Sequence, residues 1–225
     1  MNIFIIPSCI RANNSFISVE ERFKQTLVTL DSIRQVDKKA FIFFIDNSVL
    51  PLKNDELVQI KNKVDMFIDL HDDLEAQNIN NLPNIHIVKG LGEVNMLYRS
   101  LEVLKGCFDF TKEKGRIFKM GGRCFFESSF DIERYEGYEG KYIFKTRKES
   151  WRGKGQYLID TRMYSWCFSL VDEYMDILKK SMPFILQNID TEHAHFLNIP
   201  QDKLVEFDKI YVGCIIALNG SYVSD

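Results

Sequence analysis

The stretch Phe118-Lys119-Met120-Gly121-Gly122-Arg123-Cys124-Phe125-Phe126 breaks an otherwise apolar strand with a glycine pair and flanks that pair with two cations. Glycines let the backbone come close to a ligand, and cations neutralise phosphate oxygens. Arg123 offers a bidentate fork and Lys119 a point charge. The same composition also suits a Gly-Gly bulge or a hairpin turn carrying a solvated arginine. Three other short stretches hold comparable groups: Ser8 and Arg11 after "NIFIIP", Asp46-Asn47-Ser48 at the end of "AFIFFIDNS", and Lys89-Gly90-Leu91-Gly92-Glu93. A carboxylate such as Asp46 can accept from a base or ribose hydroxyl, while Lys89 and a helix start near Gly92 suit a diphosphate. Each stretch alone is ordinary turn chemistry, and Gly-Leu-Gly is not a Gly-x-Gly-x-x-Gly fingerprint. Their order on successive strand ends is what points to a ligand site.

The elements that must position these groups follow an α/β alternation. "NIFIIP" and "AFIFFIDNS" are continuous apolar runs of the kind buried on both faces of a parallel sheet. Between them Ser18-Val19-Glu20-Glu21 has capping-box spacing, and Val19, Phe23, Leu27, Leu30 and Ile33 recur at helical intervals, so a helix is predicted to about Arg34. A helix near Asp55–Lys63, a strand in "VDMFIDL" and a short strand "IHIV" continue the pattern. A glycine loop then precedes a helix whose Val94, Leu97, Leu101 and Leu104 share a face. After "RIFKMGGRCFF" the pattern becomes mixed. Strands are predicted in "KYIFKTR" and "GQYLIDT", an amphipathic helix over Met163–Lys179, a short helix over Asp190–Leu197, and a final strand in "KIYVGCIIAL". The expected fold is therefore α/β, a single domain with a mixed, mainly parallel sheet flanked by helices.

In this order of elements the chain resembles small GT-A-type, Rossmann-like glycosyltransferases, which use nucleoside-diphosphate sugars. The resemblance is carried by "SVEERFKQTLVTLDSIR", "FIDNS", "KGLGEVNMLYRSLEVL", "IFKMGGRCFF" and "IDTEHAHFL". It is strongest to members found among bacterial surface-glycan genes and in viruses and phages. It implies a nucleotide-sugar-binding half over about residues 1–126 and an acceptor-binding half over about 127–225. Ser8, Arg11, Asp46, Asn47 and Ser48 would hold the nucleoside, and Lys89, Gly90, Gly92, Lys119, Gly121, Gly122 and Arg123 the diphosphate sugar. Such enzymes usually present an Asp-x-Asp pair at the strand end where this chain has Lys119-Met120-Gly121-Gly122-Arg123, and no strict Asp-x-Asp occurs anywhere in it. No residues are therefore assigned to a metal. The expectation is protein-supplied positive charge, with a divalent cation (Mn or Mg) either not required or weakly held.

The resemblance also places a carboxylate base in "DTEH": Glu192, with Asp190 in reserve, for an inverting displacement on the anomeric carbon. An exposed helix cap is the other reading of that stretch. His193 and His195, two apart on a helix, diverge around its axis and do not suit one ion. His71 with Asp72 and Asp73 is a looser acidic loop. The stretch 141–157 concentrates Lys141, Lys145, Arg147, Lys148, Arg152 and Lys154 among Tyr142, Phe144, Trp151 and Tyr157. Aromatics stack on sugar rings or bases and cations grip phosphates, so Arg147, Trp151 and Arg152 are the predicted acceptor edge. The acceptor would be a glycan, a lipid-linked glycan or modified DNA, as in polysaccharide biosynthesis.

Composition sets the bounds. The chain has 225 residues, 45% of them hydrophobic, and 29 basic residues against 32 acidic. That is enough for one substantial core, and it excludes a broad electrostatic hold on nucleic acid or anionic membrane. The five cysteines are odd in number and widely spaced, which argues against a disulfide framework or a zinc site and favours a reducing cytoplasm, the host's if the source is viral. No run approaches membrane-spanning length. Two other classes stay open at this point: a non-catalytic nucleic-acid-binding phage accessory module built on residues 141–157, and a nucleotidyltransferase, which would need a metal-binding acidic pair.

Overall fold

Alternate residues of β1 (Asn2–Ser8) serve two cores, as expected of a strand buried on both faces. Ile3 and Ile5 join one apolar cluster, while Phe4 and Ile6 join the other. β2 (Phe41–Asp46) divides in the same way, with Phe43 and Ile45 on the first face and Ile42 and Phe44 on the second. The structure is a computed structural model that describes residues 1–13, 16–215 and 221–224.

The remaining elements follow in chain order. α1 is Val19–Val36, then come α2 (Asn54–Lys61), β3 (Met66–Asp69), α3 (Leu74–Asn80), α4 (Ile85–Cys107), β4 (Arg116–Met120) and β5 (Cys124–Phe126). After a 3₁₀ turn at Ile132–Tyr135 the chain forms β6 (Tyr142–Lys145), β7 (Lys148–Glu149), β8 (Tyr157–Leu158) and β9 (Met163–Cys167). A second 3₁₀ turn at Phe168–Leu170 leads into α5 (Val171–Leu186), α6 (Thr191–Asn198), β10 (Leu204–Phe207), β11 (Val212–Ile215) and β12 (Tyr222–Val223).

Seven strands make one sheet in the order β10-β6-β9-β4-β1-β2-β3. Among the described residues β9 alone runs against its neighbours, since β3, β2, β1 and β4 pair in parallel, as do β6 and β10. The α/β, single-domain, mainly parallel architecture expected from the sequence is the one observed. A small antiparallel sheet β12-β11-β5 packs on α1, and β7-β8 form a two-stranded ribbon.

Four local expectations are corrected. "IHIV" is not a strand, and Lys89–Gly92 is not a loop. Both lie within α4, which Asn84 caps by accepting from His86 N at 2.9 Å. Glycine there serves close packing: a Cβ on Gly90 would lie 2.8 Å from Ile185 Cγ2 of α5. Met163–Cys167 is not the start of a helix but the fully buried strand β9, whose Tyr164 and Trp166 fill the first core, and the helix begins only at Val171. Cys124 and Cys214, opposite one another on β5 and β11, form a disulfide that their sequence spacing did not suggest. Finally, α1 turns a polar stripe inward. Thr26, Thr29 and Ser32 are buried, with Thr26 Oγ1 donating to Gly122 O at 3.1 Å and Ser32 Oγ accepting from Phe126 N at 3.2 Å. Thr26 and Ser32 thus satisfy backbone groups of the β4–β5 turn and of β5, which an apolar face could not do. Of the predicted final strand, Val212–Ile215 is described and residues 216–218 lie outside the described residues. No described helix is long and apolar enough to cross a membrane.

Candidate functional site

The carboxyl ends of β1, β2 and β4 and the first half of α4 enclose a cavity of about 330 Å³. Its wall includes Ser8, Asn47, Lys89, Gly92, Lys119, Gly121, Gly122 and Arg123, eight of the twelve residues predicted for the donor. A parallel sheet delivers loops and helix ends to this edge, so groups far apart in sequence meet there. α4 contributes Lys89, Gly92, Glu93 and Met96 from one face, the i, i+3, i+4, i+7 spacing of a helix. A side chain at Gly92 would place its Cβ 3.1 Å from Asn47 Nδ2, so glycine keeps this wall open.

Gly122 explains the broken strand. Its Cβ would sit 2.9 Å from Ser8 Cβ and 3.3 Å from Pro7 O, where β4 turns back over the end of β1. Gly122→Ala is therefore expected to lower stability by about 1–3 kcal/mol, the usual cost of overpacking. Chemical denaturation of the variant checks this. The turn brings Arg123 to the cavity with Nη1 shielded from solvent and lacking a hydrogen-bond partner.

Four predicted residues have other engagements. Arg11 forms a two-bond pair with Glu56 of α2, at 2.9 and 2.7 Å. Asp46 is fully buried and accepts from Ile10 N and Ser48 N, both at 3.1 Å, and burial raises its carboxyl above the ordinary range. Ser48 Oγ accepts from Arg11 N at 2.8 Å. Gly90 packs on α5 and Thr191. Asp46 and Ser48 thus hold the β1 and β2 ends in register, and Asn47 between them reaches the cavity.

Arg22 and Glu93 are the groups that the sequence reading missed. Arg22 is buried on α1, lines the cavity and donates from Nη1 to Cys9 O at 2.6 Å. A charged residue in the second turn of a helix reads as solvated, and its clue was the i, i+4, i+7 stripe with Thr26 and Thr29. Arg22, Lys89 and Arg123 repel one another. Burial first, and Arg22 second, bring the Arg123 guanidinium down to about 10. Lys89 is lowered by burial and then by Arg123 and Arg22.

Lys119 is a different kind of cation. It is 3% exposed, and its Nζ lies 2.5 Å from Glu93 Oε1 and donates to Thr161 O at 2.5 Å. Thr161 Oγ1 in turn donates to Glu192 Oε1 at 3.1 Å. Glu192 is half-buried and does not line this cavity, where Glu93 is the carboxylate on the wall. Burial, followed by the charge of Glu93, raises Glu192 to about 7. Asp190, the reserve base, caps α6, accepting from His193 N at 3.0 Å and contacting His193 Nδ1 at 2.5 Å. His195 points the other way. Its Nδ1 donates to Thr191 O at 2.9 Å, so its Nε2 accepts from Tyr174 OH at 3.0 Å, and burial lowers it to about 4. His71 lies between Asp69 and Asp72 in the turn that follows the edge strand β3.

The cavity's donor set does not suit a resident divalent ion. Its wall carries one carboxylate, Glu93, already paired with Lys119, and three further cations. Hard dications need several anionic or neutral oxygens. Among the described residues no group of three or more His, Cys, Asp or Glu is placed to hold a metal.

The predicted acceptor edge divides. Arg147 is bound by Glu206, Nε to Oε2 at 2.9 Å and Nη2 to Oε2 at 2.6 Å. Tyr142 and Phe144 belong to the core, so they offer no stacking surface to nucleic acid. Trp151 and Arg152 instead border a second cavity of about 210 Å³ with His86, Ile185, Asn188, Ile189 and Asp190.

No protein-family model and no curated protein matches the chain. Solved structures do. The galactosyltransferase LgtC, in complex with donor and acceptor sugar analogues, superposes with a TM-score of 0.53 at 10% identity, over 92% of this chain and 73% of that one. Core-mannan synthase A from Aspergillus fumigatus, in a Mn/GDP form, gives 0.52 at 10% identity, over 95% and 74%. An active-site mutant of LgtC gives 0.50 at 12% identity, over 88% and 69%. With its mainly parallel sheet, its ligand-sized cavity at the strand ends and these neighbours, the chain has the fold of the GT-A glycosyltransferases.

Proposed function

We propose that the protein is a glycosyltransferase that moves a sugar from a nucleoside-diphosphate donor to a hydroxyl of an acceptor, by inverting displacement. The observation that carries this reading is the convergence of Arg22, Lys89 and Arg123 on one cavity at the strand ends of a GT-A fold. Three mutually repelling cations cost stability unless a polyanion joins them, and a diphosphate supplies that charge. In the reaction the bond between the anomeric carbon and the diphosphate oxygen breaks as the acceptor oxygen bonds to that carbon. The leaving diphosphate gains negative charge, which these cations offset. Glu192, raised to about 7, takes the acceptor proton. Residues of about 1–126 hold the donor and those of about 127–225 shape the acceptor side.

Calorimetric titration with UDP, GDP, CDP, ADP and dTDP, with and without manganese, tests the donor site. Binding of at least one of them without metal is expected. Failure of all five in both conditions would overturn the reading.

A further inference from the structure

We infer that the cavity beside Trp151 is a subsite for one pyranose ring of a glycan acceptor. This deepens the transferase reading and rests on it. The indole is 73% exposed and rests against one neighbour. Its ring meets the His193 imidazole edge-on, with centroids 5.1 Å apart and planes at 87°. His193 is itself fixed from both sides, by Asp190 Oδ1 at Nδ1 and Ser150 Oγ at Nε2, each at 2.5 Å. Ser150 Oγ also accepts from Arg152 N at 2.9 Å, which ties the loop backbone to the same clamp. A large apolar side chain left mostly in water against a fixed neighbour offers an open face on which the apolar side of a ligand can pack.

The rest of the cavity matches the two-sided chemistry of a sugar ring. A pyranose has an apolar C–H face, which packs on an aromatic plane, and a rim of hydroxyls, which pair with planar polar side chains. Ile185 and Ile189 extend the apolar floor, and Asn188, Asp190, Arg152 and His86 supply the polar rim. Arg152 Nη2 donates to Asn188 O at 2.8 Å, and Asn188 Oδ1 accepts from Asn84 Nδ2 at 3.2 Å, so these groups are fixed in direction. Asp190 is two residues before Glu192 on the same helix turn. The first turn of α4 stands between this cavity and the donor cavity, with His86 lining the one and Ile85 the other. A nucleic acid is the poorer occupant: the neighbouring aromatics Tyr142 and Phe144 are buried, and Arg147 is held by Glu206.

The chain has two tryptophans, and Trp166 is wholly buried, so solvent-sensitive indole fluorescence reports Trp151 alone. The probes are chitotetraose, cellotetraose and tetragalacturonate, with a single-stranded DNA 12-mer for comparison, each added to the full chain with and without UDP and GDP. The expected result is a blue shift and loss of acrylamide quenching with at least one oligosaccharide. Binding of that probe by calorimetry should weaken about 10-fold in Trp151→Ala and also in His193→Ala, which removes the clamp and leaves the indole. If no oligosaccharide protects Trp151 while a nucleoside diphosphate still binds, the subsite is overturned and the transferase reading stands. If neither class binds, both fall. Protection by the DNA alone also overturns the subsite.

Discussion

Glu192→Gln is expected to lower kcat by roughly 10²- to 10⁴-fold, the usual contribution of a positioned proton acceptor, while leaving nucleoside-diphosphate affinity unchanged. The side chain keeps its size and can still accept from Thr161, so the loss reports chemistry and not packing. As the proposed base, Glu192 is also expected to set the acid limb of the pH profile. A base must be ionised, and Glu192 is raised to about 7 by burial and by Glu93. Activity is therefore expected above about pH 7 and should fall as the pH drops through that value. Glu93→Gln removes the repelling charge, so the limb should move to lower pH. Stopped assays of the two variants across pH 5–9, with folding confirmed by circular dichroism, separate these effects. An unchanged kcat in Glu192→Gln would remove this residue from the reaction.

Arg123→Met is expected to weaken the binding of a nucleoside diphosphate and to stabilise the protein without ligand. A charge-assisted hydrogen bond contributes about 1.5–3 kcal/mol, so affinity should fall roughly 10- to 100-fold. The opposite effect on stability follows from the environment. Burial and Arg22 bring the guanidinium down to about 10, so the folded state holds this charge less readily than the unfolded chain does. The sign is that of a depressed base. At every pH below about 10 the protonated group lowers folding stability, and the penalty fades only as the pH rises through that value. Removing the charge should raise the melting temperature by a few degrees. A purely structural arginine would show the reverse, with stability lost and binding unaffected. Calorimetric titration and thermal unfolding of one preparation give both signs.

Local composition made much of this molecule legible. The apolar runs at "NIFIIP" and "AFIFFIDNS" are central parallel strands because side chains buried on both faces leave no polar alternation. Gly122, the second of the glycine pair before Arg123, marked a backbone that passes too close to Pro7 and Ser8 for a side chain. Of the eight predicted donor residues that share the cavity, Ser8, Asn47, Lys119, Gly121, Gly122 and Arg123 were recognisable because parallel topology sends successive strand ends to one edge, whereas Lys89 and Gly92 reach it on a helix.

What the residues alone could not settle is what each polar group faces once the chain is closed. Asp46 and Lys119 carry the right chemistry, but one is committed to backbone N–H groups and the other to Glu93. Arg22 looks like helix surface until the small sheet packs on α1. Lys89–Gly92 looks like a phosphate loop until α5 shows why glycine is needed within a helix. Helical and strand periodicity are encoded within a few neighbours along the chain, whereas burial, pairing and electrostatic cost depend on residues tens of positions away. Only the tertiary structure assembles those.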